Sequence, residues 1–341
     1  MTLLTVSDLS VAYHTGGGSV TAVDRVNFTV DRGEIFGIVG ESGCGKSTLG
    51  DAVPMLLDDN GSVTGGSIML DGDDLTRLSE KALAQTIRGR RISMVFQDPN
   101  TSLDPVYTIG QQVTETILTH EDVSSKVARK RAIELLDDVG IPDPEERLDD
   151  YPHSFSGGQR QRIVIAIALS CNPDLLIADE PTTGLDVSIQ AQILGLLRSL
   201  AAERNVAIMI ITHNFGVVAE TCDRVGVMYA GNMIEQSSVN SVFEDPKHPY
   251  TQALLNSLPE RHTIGQELST IPGSPPDLAD PPAGCRFHPR CTQVCGPECE
   301  TDDIPPTYDV DGEEVACYLY DDRDIVTDSS RDSLATGGEE R

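Results

Sequence analysis

A glycine-rich stretch at residues 40–48, GESGCGKST, directly follows the short apolar run IFGIV at 35–39. It fits the pattern G-x-x-x-x-G-K-[S/T], in which glycines let backbone N–H groups turn toward phosphate oxygens. Lys46 can neutralise the charge of the β and γ phosphates, and Ser47 can bind Mg²⁺. Helix-compatible sequence continues from Leu49 onward. The residues predicted to contact a nucleotide are Gly40, Glu41, Ser42, Gly43, Cys44, Gly45, Lys46, Ser47 and Thr48.

A second candidate site is the apolar run DLLIADEP at residues 174–181, which ends in two adjacent carboxylates. Asp179 is placed to hold Mg²⁺ directly or through water, and Glu180 is placed to polarise an attacking water. A strand that ends in Asp-Glu is common by itself. Together with the phosphate-binding loop, however, it predicts a site of nucleotide hydrolysis.

The tract FSGGQRQR at 155–162 places Ser-Gly-Gly at the start of a predicted helix, where bare N–H groups favour an anion. It resembles the signature motif of ATP-binding cassette (ABC) ATPases, with Phe155 where leucine is usual. The other motifs of that family occur in the expected order. They are Tyr13 for adenine stacking, Gln97 in VFQDP, Gly184–Asp186 in TTGLD, and His213 in ITHN. A lone tyrosine or histidine in such a position is more often structural, so the joint occurrence carries the resemblance.

The resemblance implies that two cassettes meet head to tail and that the signature loop of one contacts the nucleotide of the other. It assigns this role to Ser156, Gly157, Gly158 and Gln159, and it adds Asp186 to the nucleotide contacts. Glu180, His213 and Gln97 would be the catalytic residues. Ser47, Gln97 and Asp179 would bind Mg²⁺, and ATP would be the substrate.

The elements that must position these residues indicate an α/β fold, namely a P-loop ABC ATPase core with an antiparallel β-subdomain and an α-helical signature subdomain. Residues 1–35 alternate as strands, about 98–160 are rich in helix pattern, and strands are predicted at 174–178, 206–212 and around 224–237, with a helix near 188–204. We predict a nucleotide-binding domain at 1–245, a small cysteine-rich C-terminal extension at 246–320 and an acidic disordered tail at 321–341.

The tract HPYTQALL at 248–255 resembles the C-terminal extension of dipeptide and oligopeptide importer ATPases, a family that also includes nickel importers. The resemblance covers nearly all of residues 3–319. It implies an ATPase that drives peptide uptake together with a second homologous ATPase in a heterodimer, two membrane permeases and an extracellular substrate-binding protein. The same engine serving sugars, nickel or glutathione is an alternative, and a soluble ABC ATPase outside transport is another.

Four cysteines lie within GCRFHPRCTQVCGPEC at residues 284–299. Some members of the importer family carry cysteines in this extension that bind a 4Fe-4S cluster. The resemblance assigns as ligands Cys285, Cys291, Cys299 and Cys317, with Cys295 as an alternative third ligand. Four thiolates also suit a structural Zn²⁺ site, and a disulfide is the third alternative.

The composition limits the partners. The chain has 341 residues and a net charge of −29, and only five of its 25 basic residues are lysines. Such a charge argues against a general binder of polyanions such as nucleic acid. It suggests a salt-rich, haloarchaeal cytoplasm, and an acidic mesophilic protein is the alternative. The N-terminus lacks the pattern of a secretory signal, and no apolar run approaches the ~18 to 20 residues of a membrane span. We therefore expect a peripheral protein held at the cytoplasmic face of the membrane by its partners.

Overall fold

The structure is a computed structural model that describes residues 1–97, 99–258, 270–301 and 303–326, with the backbone alone for residues 99 and 100. Most of the predicted acidic tail, residues 327–341, lies outside the described residues. No helix in the described part of the chain is long and apolar enough to cross a membrane.

The strands alternate with helices along most of the chain. They are β1 (Thr2–Thr15), β2 (Gly18–Asp31), β3 (Ile35–Val39), β4 (Gly61–Leu70), β5 (Asp73–Asp74), β6 (Ile92–Val95), β7 (Leu175–Asp179), β8 (Ala207–Thr212), β9 (Arg224–Tyr229), β10 (Asn232–Ser238), β11 (Tyr308–Val310) and β12 (Glu313–Val315).

The α-helices are concentrated between residues 99 and 256. They are α1 (Lys46–Ala52), α2 (Glu80–Ala82), α3 (Pro99–Ser102), α4 (Ile109–His120), α5 (Ser125–Asp138), α6 (Pro144–Arg147), α7 (Gly157–Ala168), α8 (Val187–Arg204), α9 (Phe215–Thr221), α10 (Val239–Glu244) and α11 (Pro249–Asn256).

The chain forms two compact units. The first comprises residues Met1–Thr29, Phe36–Thr76 and Thr212–Arg341, and the second comprises Val30–Ile35 and Arg77–Ile211. The first unit contains an antiparallel sheet in the order β2-β1-β4-β5. Because alternate side chains of a strand share one face, Leu4 and Val6 of β1 are buried opposite Leu70 and Ile68 of β4.

The first unit also contains β3, which pairs in parallel with β9, and β10, which pairs antiparallel with both β9 and β12. An aromatic cluster packs beside these strands. The ring centroids of Tyr229 and Tyr250 are 4.6 Å apart, and Phe287 lies 5.2 Å from Tyr229 and 5.3 Å from Tyr250. The cluster therefore joins β9 to α11 and to the cysteine-rich segment.

The second unit contains the parallel strands β6, β7 and β8. Residues Leu175–Ala178 of β7 are fully buried, as expected for a strand of a parallel sheet. The helices α4, α5 and α7 pack against one another, and each begins with a side-chain cap: Thr108, Ser124 and Ser156 accept hydrogen bonds from their first turns.

Most predicted elements are present at their predicted positions, including the helix-rich region and the closing strand pair β9 and β10. The first helix, however, begins at Lys46 and not at Leu49. The reason is that Gly45 adopts a positive φ of 100°, which turns the chain directly into the helix.

Candidate nucleotide-binding site

The phosphate-binding loop lies between β3 and α1 in the first unit. The ammonium group of Lys46 donates hydrogen bonds to the carbonyl oxygens of Gly40 and Glu41, both at 2.9 Å. The backbone N–H of Cys44 donates to the Glu41 carbonyl at 3.3 Å. The loop is thus closed on itself by its own lysine, which is a group that can transfer its hydrogen bonds to a phosphate.

Two glycines of the loop are required by close backbone approach. A Cβ at Gly40 would overlap the carbonyl oxygen of Met228, and one at Gly45 would overlap the carbonyl oxygen of Ala22. Gly45 also has a positive φ, which side chains rarely adopt. The glycine spacing that the sequence offered as a phosphate cradle is therefore also a packing requirement.

Cys44 fills the interior of the loop. Burial raises the pKa of its thiol, although the neighbouring Lys46 lowers it in part. At neutral pH the side chain is therefore a protonated, buried filler and a weak nucleophile.

In the second unit the two predicted catalytic residues Gln97 and Glu180 are in contact. The amide nitrogen of Gln97 donates to a carboxylate oxygen of Glu180 at 3.2 Å, and the hydroxyl of Thr183 donates to the same oxygen at 2.7 Å. Glu180 has a φ of 46°, and its backbone N–H donates to the carbonyl of Ile211 at 2.8 Å. The turn after Asp179 at the end of β7 is thus fixed, and it aims the glutamate toward the glutamine.

Ser156 is the N-cap of α7. Its hydroxyl accepts from the N–H of Gln159 at 3.3 Å, and the Gln159 side chain accepts from the N–H of Ser156 at 3.0 Å, which completes a capping box. A Cβ at Gly158 would overlap Ile189 of α8, whereas Gly157 is exposed and a Cβ there would make an ordinary contact with the Leu185 side chain at 3.7 Å. The two glycines therefore differ: Gly158 permits helix packing, and Gly157 leaves the helix start accessible.

Phe155, which departs from the usual leucine, is buried, and the guanidinium carbon of Arg147 lies 4.9 Å from its ring centroid. A cation over an aromatic face is attracted by the ring. The substitution is thus accommodated as packing beside the signature tract.

Asp186 is the N-cap of α8. Its carboxylate accepts from the N–H of Ile189 at 2.9 Å and from the hydroxyl of Ser188 at 2.8 Å, and these bonds lower its pKa. Gly184 supplies the positive φ of 76° in the preceding turn.

Tyr13 and His213 belong to the first unit. Tyr13 lies on β1 opposite Gly61 of β4, and its half-buried ring covers that glycine. His213 is exposed immediately after β8. Tyr13 thus lies on an N-terminal strand and His213 directly after a strand, as the sequence predicted. Their roles in nucleotide binding stay predictions.

The cysteines of the C-terminal segment are neighbours. The sulfurs of Cys295 and Cys299 are 3.3 Å apart, and the N–H of Cys285 donates to the carbonyl of Cys299 at 3.0 Å. Burial, and to a lesser extent the surrounding cysteines, raises the pKa of Cys285 to about 11 and that of Cys317 to about 12. A thiol of this kind that bound a metal ion would release its proton on binding.

Within the described ranges, no group of three or more His, Cys, Asp or Glu side chains is arranged to hold a metal ion. The thiol chemistry suits iron or zinc, but the four-cysteine arrangement expected from the resemblance is not assembled. The structure therefore assigns neither a 4Fe-4S cluster nor Zn²⁺.

Comparison with known sequences identifies two families. The ABC transporter family matches residues 23–183, and the C-terminal region of oligopeptide/dipeptide transporters matches residues 234–299. The dipeptide transport ATP-binding protein DppD of Bacillus subtilis is 50% identical over 327 residues, which cover 94% of this chain and 96% of that protein. DppD of Escherichia coli is 45% identical over 323 residues, which cover 94% of this chain and 98% of that protein.

The chain belongs to the dipeptide and oligopeptide transporter family of ABC ATP-binding proteins. Solved structures agree on the fold. A dimeric ATP-binding cassette in a post-hydrolysis state with ADP and Pi is 28% identical, with a TM-score of 0.62 over 70% of this chain and 99% of that one. A subunit of the cbiONQ ABC transporter complex of Clostridium perfringens is 32% identical, with a TM-score of 0.63 over 72% of this chain and 91% of that one. The predicted fold class and the assignment to ABC ATPases are thus confirmed.

Residues of the transporter-family C-terminal region contact the phosphate-binding loop, which the sequence did not predict. The hydroxyl of Tyr250 accepts from the N–H of Glu41 at 3.0 Å, and Arg290 pairs with the Glu41 carboxylate at 2.7 Å. Tyr250 belongs to the motif HPYTQALL, which was identified from the sequence. Nothing in the spacing of the sequence, however, connected residues 250 and 290 with residue 41. Contacts across more than 200 positions arise from the fold.

Proposed function

We propose that this chain hydrolyses ATP to drive uptake of dipeptides or oligopeptides, as the ATP-binding subunit of an ABC importer. The observation that carries the proposal is the combination of an intact phosphate-binding loop with the C-terminal region characteristic of oligopeptide/dipeptide transporters. The relatives named above are described as dipeptide transport proteins. That description favours peptides over sugars, nickel or glutathione as the cargo, and transport over a soluble role.

The proposed roles follow the chemistry of each group. Lys46 and the loop N–H groups bind the phosphates of ATP, and oxygen donors of the kind that Mg²⁺ prefers are offered by Ser47, Gln97 and Asp179. Glu180 polarises the attacking water, and the hydrogen bond from Gln97 orients the Glu180 carboxylate. As the family resemblance implies, Tyr13 stacks on adenine and His213 contacts the γ-phosphate. Asp186 contributes to nucleotide binding as part of the tract TTGLD.

Membership of the ABC family also implies a dimer of cassettes and permease partners. We propose that Ser156, Gly157, Gly158 and Gln159 act on the nucleotide of a second cassette, supplied by a homologous subunit. The exposed, capped start of α7 supports this, because its N–H groups can meet an anion. We further propose that the cassettes act with two membrane permeases and an external binding protein, and that they lie at the cytoplasmic face of the membrane. We place the boundary between the nucleotide-binding domain and the C-terminal extension near residue 245.

The decisive experiment replaces Glu180 with glutamine, which keeps the shape and removes the base. We expect ATP binding to remain within about threefold, while hydrolysis falls at least ~100-fold. Glu203→Gln is the matched control, because Glu203 is an exposed glutamate of α8. Both variants are assayed for binding of a fluorescent ATP analogue and for phosphate release. Rapid turnover by Glu180→Gln would refute the assigned role.

The cargo is tested separately with the complete transporter in vesicles. ATP-dependent uptake of a radiolabelled dipeptide, competed by unlabelled peptides and not by sugars, glutathione or nickel, is the expected result. Uptake of one of the competitors instead would keep the ATPase assignment and replace the cargo.

We also propose that the cysteine segment is loaded with a 4Fe-4S cluster or Zn²⁺ in the cell. Support comes from the number of cysteines in the segment and from the 3.3 Å separation of the Cys295 and Cys299 sulfurs; binding a metal would require the remaining thiols to close around it. Anaerobic purification followed by iron, sulfide and zinc analysis tests it, with Cys317→Ser as the variant and Cys171→Ser, outside the segment, as the control. About four irons with sulfide indicate the cluster, and one zinc indicates a structural site. A metal-free protein with a Cys295–Cys299 disulfide would contradict both.

The acidic composition supports a further proposal, that the protein works in a salt-rich, haloarchaeal cytoplasm. Screening of a −29 charge stabilises the compact state in salt. ATPase activity is then expected to rise toward molar KCl. A maximum in dilute buffer would contradict it.

A further inference from the structure

The single acidic side chain of the phosphate-binding loop, that of Glu41, is held by Arg290 of the cysteine-rich segment at residues 284–299. The two terminal nitrogens of Arg290 lie 2.7 Å and 3.2 Å from the two carboxylate oxygens of Glu41. The arginine side chain is 6% exposed and the glutamate side chain 24% exposed. A two-pronged, charge-assisted pair of this kind in poorly solvated surroundings is among the stronger polar interactions in proteins.

Arg290 is itself fixed by other contacts. Its Nε donates to the carbonyl of Pro272 at 2.8 Å, and one terminal nitrogen also donates to the hydroxyl of Tyr229 at 3.2 Å. An arginine guanidinium stays charged in proteins. These contacts, together with the pair to Glu41, hold the charged group in place.

The backbone of Glu41 is held from the same side. Its N–H donates to the hydroxyl of Tyr250 at 3.0 Å, and Tyr250 is fully buried in α11. The carbonyl of Glu41 accepts a hydrogen bond from the Lys46 ammonium. Fixing Glu41 thus fixes both the start of the loop and the resting position of the lysine.

The pair also has an electrostatic consequence. A carboxylate within a phosphate-binding loop repels the polyphosphate that the loop must accept, and such repulsion is strong where water is scarce. Arg290 cancels that charge. Without the arginine, the loop would carry an uncompensated negative charge and one anchor fewer.

We propose that Arg290 is a positioning residue for nucleotide binding: it neutralises and anchors Glu41, so that the C-terminal extension sets the affinity of the cassette for ATP. The inference rests on the proposed ATP-binding function, and it does not depend on whether the cysteines hold a metal. It gives the extension a direct effect on the nucleotide site within its own chain.

The test is equilibrium binding of a fluorescent ATP analogue with Mg²⁺ to the full chain. Arg290→Ala is expected to bind roughly tenfold more weakly than the natural protein. Arg290→Lys is expected to recover part of the loss, because it restores the charge but not the two-pronged geometry. Lys247→Ala is the control, since Lys247 pairs with Asp245 and Asp311 in the same unit, and its affinity should be unchanged.

A double-mutant cycle with Glu41→Ala separates positioning from general destabilisation. If Arg290 acts through Glu41, then Arg290→Ala changes affinity less than about twofold in the Glu41→Ala background. An equal loss in both backgrounds would overturn the proposal, and so would natural affinity in Arg290→Ala. Should Arg290→Ala fail to fold, judged by circular dichroism, the cycle is run with Arg290→Gln, which keeps more of the side-chain volume and still removes the charge, and the same two outcomes decide. Absence of ATP binding by the natural chain would instead refute the proposed function.

Discussion

His248 offers a quantitative test of how the C-terminal extension is anchored. Its side chain is fully buried at the start of α11, where Nδ1 accepts from the N–H of Tyr250 at 3.0 Å. Nε2 is buried with no hydrogen-bond partner in the described chain. Burial lowers the pKa of His248 from 6.5 to about 3. The folded protein therefore keeps a neutral imidazole at pH values where the unfolded chain is protonated.

The sign and size of the effect follow from linkage. Below pH 6.5 the unfolded chain binds a proton at His248 that the folded chain does not, so the free energy of unfolding falls as the pH falls. Above pH 6.5 His248 is neutral in both states, and its protonation no longer lowers the stability. Each pH unit between 6.5 and 3 costs about 1.4 kcal/mol. The loss is therefore about 2 kcal/mol at pH 5 and about 5 kcal/mol at pH 3, as an order of magnitude.

The variant is His248→Asn, because asparagine is a good helix N-cap and its side-chain oxygen can replace Nδ1 as the acceptor. We expect a pH-independent cost from lost packing against Phe287, whose ring centroid lies 6.0 Å away. Glu235 accepts from the N–H of His248 at 2.9 Å, and burial raises the pKa of Glu235. Its opposite contribution to the pH dependence is present in both proteins, so the difference between them isolates the histidine.

The assay is urea unfolding followed by circular dichroism at several pH values between 7.5 and about 4.5, at constant salt. The natural protein should lose roughly 2.7 kcal/mol more than His248→Asn across the acidic part of this range. His14→Asn, which removes an exposed imidazole on β1, is the control. Parallel curves for the natural protein and His248→Asn would refute the reasoning.

Three further substitutions test the positioning of the site. Gly45→Ala should abolish ATP binding, because Gly45 has a positive φ and the new Cβ would overlap the Ala22 carbonyl oxygen. Gly195→Ala is the control, because its Cβ meets open space in α8; it should stabilise the protein by up to ~1 kcal/mol in thermal unfolding. Unchanged ATP binding by Gly45→Ala would contradict the packing argument. Ser156→Ala should lower the free energy of unfolding by about 1 kcal/mol, because the α7 cap is lost. It should also lower the ATPase rate. A normal ATPase rate at reduced stability would limit Ser156 to a structural role.

The sequence by itself determined the parts of this protein whose chemistry is local. Three such features are contiguous in the sequence: the loop at residues 40–48, the adjacent carboxylates Asp179 and Glu180, and the capped signature tract. In the loop and the signature tract, close backbone or side-chain approach also requires glycine at 40, 45 and 158. The order of the three features along the chain identified the fold class, and alternating apolar residues predicted the strands around them. The short strands β11 and β12 and the long strand β4 were not predicted, because pairing across the chain defines them more than local pattern does.

The tertiary structure decided what the extension does to the loop. Tyr250 and Arg290 reach Glu41 because the aromatic cluster around Tyr229 holds α11 and the cysteine segment beside β9. The spacing of residues along the sequence does not predict such a contact, because packing brings together residues that are more than 200 positions apart. The cysteines show the converse: spacing and resemblance predicted four ligands, but ligation requires sulfur positions that the described chain does not assemble. Local chemistry is encoded in neighbouring residues, whereas coupling between sites depends on the packed core that joins them.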